Sequence, residues 1–157
     1  MNLVVFSGPP SSGKTSVILK TVDALKQQGI SVGVVKFDCL YTDDDILYEK
    51  AGIPVKKGLS GALCPDHFFV SNIEEVVQWG RSLGLSMLIT ESAGLCNRCS
   101  PYIKEIKGVC VIDNLSGINT PKKIGPMLKS ADIVIITKGD IVSQAEREVF
   151  ASRVNSV

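Results

Sequence analysis

Five short apolar runs punctuate the chain: Leu3–Phe6, Val32–Phe37, Ser86–Thr90, Gly108–Ile112 and Ile133–Thr137. They are rich in β-branched residues and nearly continuous rather than alternating, the pattern of strands covered on both faces. Helical spacing appears between them. In Ser16–Gln27 the apolar positions are Val17, Ile18, Val22 and Leu25. Ser71 followed by Glu74 predicts a capping box that opens a helix running through Leu83. Gln144 to Arg153 reads as a last helix. Residues 38–70 are less regular. Asp43–Glu49 predicts one or two helical turns, Pro54–Lys57 a short strand, and Gly58, Gly61 and Pro65 mark loop. The run Asp43-Asp44-Asp45 reads as a solvated helix start, where the helix dipole favours acid. Strands alternating with helices predict an α/β domain with a mostly parallel, twisted sheet and helices on both faces. Ligands in such sheets bind at the carboxyl ends of the strands.

The strand ends carry the candidate chemistry. After the first run comes Gly8-Pro9-Pro10-Ser11-Ser12-Gly13-Lys14-Thr15, a full G-x-x-x-x-G-K-[ST] phosphate loop in a strand–loop–helix context. Its backbone N–H groups, continuing into Ser16 at the helix start, suit nucleotide phosphates. Lys14 is expected to reach the β- and γ-phosphates and the Thr15 hydroxyl to hold Mg²⁺. An ordinary Gly-rich turn does not require all eight positions, so a P-loop NTPase is the expectation. The second run ends at Asp38, placed to face the metal or the attacking water, or else to cap a turn. The third ends Thr90-Glu91-Ser92-Ala93-Gly94. Glu91 is expected to hold Mg²⁺ through water, and the Gly94 N–H to approach the γ-phosphate. The last run ends Thr137-Lys138-Gly139-Asp140, where an aspartate accepts from guanine N1 and the 2-amino group and the lysine stem covers the base. Adenine offers no such donor pair, so GTP and GDP are expected over ATP.

Composition narrows this further. A chain of 157 residues suits one domain, here 1–157, with a real core. With 45 % hydrophobic residues, 21 % charged residues and a formal net charge of +1, the composition is that of an ordinary globular protein. The charge argues against nucleic acid as main partner. No apolar run reaches a membrane span of about 18 residues, and the chain opens on a strand, so neither membrane insertion nor a signal peptide is expected. Five cysteines in a nucleotide-binding fold suggest reducing cytoplasm, with thiols free or on metal.

These motifs occur in one order: Gly8–Thr15, Val35–Asp38 with Tyr41-Thr42, Glu91–Gly94, Val111-Ile112-Asp113 with Gly117 and Pro121–Gly125, and Thr137–Asp140. Across nearly the whole chain this resembles the nickel-insertion GTPases of urease and hydrogenase maturation, within the wider group of metallochaperone GTPases. The resemblance implies a slow GTPase that forms a homodimer across its switch loops. It also implies a carried transition metal, delivered to a client metalloenzyme or its maturation factors, and a dimer partner that can supply missing catalytic groups. The urease-type family has a contiguous Cys-Pro-His where this chain reads Cys64-Pro65-Asp66-His67, with Asp66 inserted. Cys96-Asn97-Arg98-Cys99 follows the Glu91–Gly94 stretch, and a Cys-x-x-Cys pair clamps soft or borderline metals. Cys64, His67, Cys96 and Cys99 are therefore the candidate ligands, for Ni²⁺ or Zn²⁺ ahead of an Fe–S centre. The plain alternatives are a redox pair or spare thiols, and a His67 that packs or caps a turn. Cys39 is a further candidate beside Asp38, and Cys110 reads as core. Tyr102, Trp79, Phe68 and Phe69 read as core or ordinary exposed aromatics before a partner surface.

Three other readings stay open. One is the GTP-binding adaptor of molybdenum-cofactor biosynthesis, which Gly8–Thr15 followed by Gly29–Lys36 also resembles. The others are a small-molecule kinase and a nucleotide-gated Fe–S or electron carrier. After Thr137–Asp140 a guanine-nucleotide domain normally continues into another strand, for which Asn155-Ser156-Val157 is too short. The expectation is a domain lacking its final strand, with Ile133–Thr137 as an exposed edge or with Gly52–Ser60 or Gly108–Ile112 beside it.

Overall fold

Strand β1 (Asn2–Ser7) runs through the glycine loop into α1 (Lys14–Gln27), and this unit organises the molecule. The computed structural model describes residues 1–96 and 99–157. Along the chain follow β2 (Val32–Asp38), α2 (Asp44–Lys50), β3 (Val55–Leu59), α3 (Pro65–Ser71), α4 (Ile73–Ser82) and β4 (Met87–Ser92). Then come β5 (Lys107–Asp113), α5 (Thr120–Lys123), α6 (Gly125–Lys129), β6 (Ile133–Thr137) and α7 (Gln144–Asn155). One parallel sheet has the order β3-β2-β4-β1-β5-β6. β1 therefore lies centrally, between β4 and β5, and the register pairs Phe6 with Glu91 and Ser7 with Cys110. β2 lies on the far side of β4, with Lys36 level with Glu91.

Alternation along each strand sends neighbours to opposite faces. Phe6, Val34, Ile89, Val109 and Val111 meet Ile18 and Val22 of α1 and Tyr48 of α2 on one face. Val5, Val35, Phe37 and Leu88 meet Phe69 of α3 and Val76 of α4 on the other. Cys110 and Ile112 extend that second face under Ile124, Met127, Leu128 and Phe150. Cys110 is core, as its strand position predicts.

Residues 54–72 depart from the sequence expectation in three places. β3 is shifted to Val55–Leu59 and takes in Gly58, which was expected as loop. Gly58 pairs with Phe37, and a Cβ there would lie 2.6 Å from the Phe37 ring, so the glycine admits the aromatic rather than breaking the strand. Pro65 starts a helix rather than a loop: it occupies the first turn of α3, where a missing N–H costs nothing. Phe68 and Phe69 then reach Phe37, with ring centroids 6.1 and 5.1 Å away. The Ser71–Glu74 capping box does not form. Ser71 ends α3, Asn72 is the N-cap of α4 without a side-chain cap bond, and the Asn72 amide donates to the Phe68 carbonyl at 2.7 Å. A capping box does form on α7, between Ser143 and Glu146.

β6 pairs with β5 and closes one edge of the sheet, with Ile133 and Val134 exposed. β3 lies at the opposite edge and β5 is interior, so neither stands beside β6 on its outer side. No helix among the described residues is long and apolar enough to cross a membrane. Leu88 is wholly buried in β4. Truncation to Ala should remove about 2–5 kcal/mol of stability through lost burial plus cavity, read as a lower denaturation midpoint in urea.

Candidate nucleotide-binding site and thiol cluster

The loop after β1 needs its glycines. Gly8 has φ 144°, and a Cβ there would sit 1.9 Å from the Val111 carbonyl oxygen of β5. Gly13 (φ 94°) opens α1. Lys14 is buried and donates to the carbonyls of Gly8 (2.9 Å) and Pro9 (2.8 Å), so its ammonium arches over the loop. Burial pulls its pKa down to about 8 although Glu91 opposes the shift.

Glu91 is the hub of the cleft. It is 1 % exposed, and its Oε1 accepts from the Thr15 hydroxyl (2.9 Å) and the Lys36 ammonium (2.9 Å). Its Oε2 accepts from the buried Tyr48 hydroxyl. Burial and the Glu91 charge push the Tyr48 pKa far above the usual phenol range, so it stays a donor. Lys36 also pairs with Asp44 at 2.7 Å. Burial alone would lower its pKa, but Glu91 and Asp44 together hold it above the ordinary lysine value. Asp38 lines the same cleft as Lys14, Thr15, Lys36, Asp44 and Glu91, while its Oδ1 accepts from the Cys39 N–H at 2.8 Å. Asp38 therefore stands at the cleft and also caps the turn that follows β2. The Thr15 hydroxyl and the Glu91 and Asp38 carboxylates are hard oxygen donors on one cleft, a set that fits Mg²⁺.

Gly94 touches the loop from above. At φ 73°, a Cβ on it would lie 1.6 Å from the Gly8 oxygen and 3.3 Å from Lys14 Nζ. Its N–H donates to Ser92 Oγ at 3.3 Å, and the Ser92 hydroxyl donates in turn to the Asp66 carboxyl. Asp66 is 2 % exposed, and burial raises its pKa against the opposing Ser92 bond. On the other flank the Thr137 hydroxyl donates to the Ser12 carbonyl (2.6 Å) and the Lys138 ammonium to the Ser11 carbonyl (2.7 Å). Asp140 stands exposed on a single 3₁₀ turn, Gly139–Ile141.

The thiols of Cys64, Cys96 and Cys99 converge, with all three Sγ atoms within 4.8 Å of one another. Cys99 lies 2.9 Å from Cys96 and 3.9 Å from Cys64. His67 does not join them: it is exposed on α3. The inserted Asp66 takes the inward position of that first turn and leaves His67 facing solvent. Cys39 is also outside the trio. Asn97 and Arg98, within the Cys-x-x-Cys pair, lie outside the described residues.

Lys36, Asp44, Tyr48, Asp66 and Ser92 were not singled out by sequence reasoning as parts of the site. Lys36 did leave a signal, a charge inside an otherwise apolar buried strand. The Asp43–Asp45 run is not simply solvated, since Asp44 pairs with Lys36 and Asp45 with Lys57 (2.6 Å).

A match to the family described as "CobW/HypB/UreG, nucleotide-binding domain" covers residues 2–157. The chain belongs to this family. It is 57 % identical over 154 residues to an uncharacterised protein of Methanocaldococcus jannaschii, covering 98 % of this chain and 66 % of that protein. It is 28 % identical over 149 residues to urease accessory protein UreG 2 of a Bradyrhizobium species, covering 88 % of this chain and 69 % of that protein. This CobW/HypB/UreG chain thus spans 66–69 % of the length of these relatives. Solved structures that share its fold include two HypB proteins. HypB from Helicobacter pylori in complex with nickel has a TM-score of 0.74 at 24 % identity, covering 99 % of this chain and 72 % of that one. Hydrogenase maturation factor HypB from Archaeoglobus fulgidus also has a TM-score of 0.74, at 17 % identity, covering 99 % of this chain and 76 % of that one. The fold is that of the P-loop nucleotide-binding proteins.

Gly94→Ala should disrupt the contact with Gly8, because its Cβ cannot share space with a backbone oxygen. The expected outcome is a loss of about tenfold or more in affinity for a non-hydrolysable GTP analogue. A fluorescent-nucleotide titration beside a thermal melt checks this.

Proposed function

We propose that this chain is a GTP-binding, slowly hydrolysing metallochaperone. In this reading the Cys64–Cys96–Cys99 trio carries a transition metal, nickel or a similar ion, to a client metalloenzyme or its maturation factors. One observation carries the reading: the three thiols gather on the segments that join Gly94 to the phosphate loop and Asp66 to Ser92. Nickel in the Helicobacter HypB structure and the urease role in the UreG name add support for the cargo.

The loop amides and Lys14 hold the phosphates. Thr15 and Glu91, with Asp38, would hold Mg²⁺, which when bound neutralises charge on the phosphate oxygens. Asp38 orients the attacking water, and Gly94 responds to the γ-phosphate. Asp140 reads guanine while Thr137 and Lys138 brace the loop. Soft thiolates suit Ni²⁺ or Zn²⁺ as cargo, and a shift of the Gly94 segment on hydrolysis changes the spacing of Cys96 and Cys99. Leu40, Tyr41, Leu63 and Leu95 are exposed beside Cys39, Cys64 and Cys96 in sequence, which supports a homodimer formed across the switch loops.

Two measurements test the reading. Competition of GTP and ATP for the cleft should favour GTP, and Asp140→Asn should weaken guanine binding by roughly 1–3 kcal/mol. Equal affinity for both nucleotides overturns the guanine assignment and favours a kinase. Anaerobic, reduced protein should take Ni²⁺ or Zn²⁺ from a chromophoric chelator. Cys99→Ser should lose about tenfold or more in metal affinity, and His67→Ala should stay within about threefold of the parent. Failure to retain either metal removes the cargo role, and a visible iron–sulfur absorption band on the anaerobic protein would assign the thiols to electron transfer instead.

A further inference from the structure

We infer that Lys36 is a further catalytic residue: a cation supplied within this chain that faces the transferring γ-phosphoryl group. The inference rests on the GTPase reading above. Three features of the cleft carry it.

The first is position. β2 reads Val-Gly-Val-Val-Lys-Phe-Asp and is interior to the sheet, between β3 and β4. Lys36 is 3 % exposed there, and a buried charge in an apolar strand is costly unless paired. Lys36 lines the same cleft as Lys14, Thr15 and Ser16 of the phosphate loop and the start of α1.

The second is convergence. The Lys36 ammonium and the Thr15 hydroxyl donate to the same oxygen of Glu91, each at 2.9 Å. The lysine charge therefore stands one carboxylate oxygen away from the hydroxyl that the phosphate-loop motif assigns to the phosphate-bound metal.

The third is charge balance. Lys14, Lys36 and Lys138 line the cleft together with Asp38, Asp44 and Glu91, three cations against three acids. Without Lys36 the acids outnumber the cations in a site that must accept a polyanion. Its second partner, Asp44, is the more exposed one, with 35 % of its side chain accessible, so this tether is the weaker of the two.

During hydrolysis the water oxygen bonds to the γ-phosphorus as the bond to the β–γ bridging oxygen breaks. The electron pair of that bond leaves on GDP. One water proton stays on inorganic phosphate and the other is released. Lys36 transfers no proton. It stabilises charge on the phosphoryl oxygens, the work that an arginine finger does when supplied from outside.

A purely structural Lys36 would only neutralise Glu91, and fluoroaluminate separates the two roles. With GDP and Mg²⁺ it mimics the planar phosphoryl group, so an in-chain cation should let it bind without a partner protein. Titration with fluorescent GDP should show the parent gaining about tenfold or more in affinity when Mg²⁺ and fluoroaluminate are added. Lys36→Met should lose that gain, measured against its own affinity for GDP alone, and Lys36→Arg should keep part of it. If Lys36→Met melts below the assay temperature, the charge-balanced pair Lys36→Met with Asp44→Asn is read by the same criterion. A variant that keeps the full gain, or a parent that binds GDP without any gain, overturns the inference and leaves the GTPase reading standing. A parent that binds no GDP overturns the GTPase reading and this inference with it.

Discussion

A carboxylate that is 1 % exposed at the centre of a parallel sheet must be satisfied from every side, and Glu91 is. Thr15 reaches it from the phosphate loop, Lys36 from β2 and Tyr48 from α2. Removing any one donor would leave a buried charge short of a partner, which costs far more than a surface hydrogen bond contributes. Three elements distant in sequence are thereby fixed to one atom group. α2 is held both directly, through Tyr48, and indirectly, through the Asp44–Lys36 ion pair. The site is thus pre-ordered by the electrostatics of one residue, while the apolar faces of the sheet determine where that residue stands.

The same economy operates at Gly94. Backbone contact with Gly8 requires that Gly94 carry no Cβ, while Gly8 itself must lack one to sit against the Val111 carbonyl, so three segments far apart in sequence meet at two glycines. From Gly94 the path continues by hydrogen bond to Ser92 and then to Asp66, two residues into the chain after Cys64. The phosphate loop meets Gly94 by close backbone approach, Gly94 reaches Asp66 through Ser92, and two residues of chain lead from Asp66 back to Cys64, so the cleft and the thiol cluster are physically connected, as coupling between them would require.

Much of this was legible in the sequence because it is local. The phosphate loop, Glu91–Gly94 and Thr137–Asp140 are contiguous motifs at strand ends, and the near-continuous apolar runs marked the strands that bear them. What escaped was set by tertiary contacts. Gly58 reads as a breaker until Phe37 is placed opposite it. Pro65 reads as loop until Phe68 and Phe69 have a ring to pack against. Ser71 and Glu74 have capping-box spacing, but the helix ahead of them ends at Ser71. Asp44 looks like one acid among three, and only the fold reveals that it faces a buried lysine.

His67 and Asp66 show the limit most clearly. A motif with one inserted residue can place either side chain inward, because a one-residue shift on a helix rotates the side chain by about 100°. The alternatives differ in what each would do once buried. Asp66 inward gains the Ser92 hydroxyl, which opposes the upward pull of burial on its pKa. His67 inward would set a fourth donor against three thiols and leave Ser92 without its carboxyl partner. The observed arrangement keeps Cys64 at the N-cap of α3 and gives the interior to the residue that links α3 to the Gly94 segment. The insertion therefore exchanges a candidate nitrogen ligand for a polar connection, and the three thiols converge without His67.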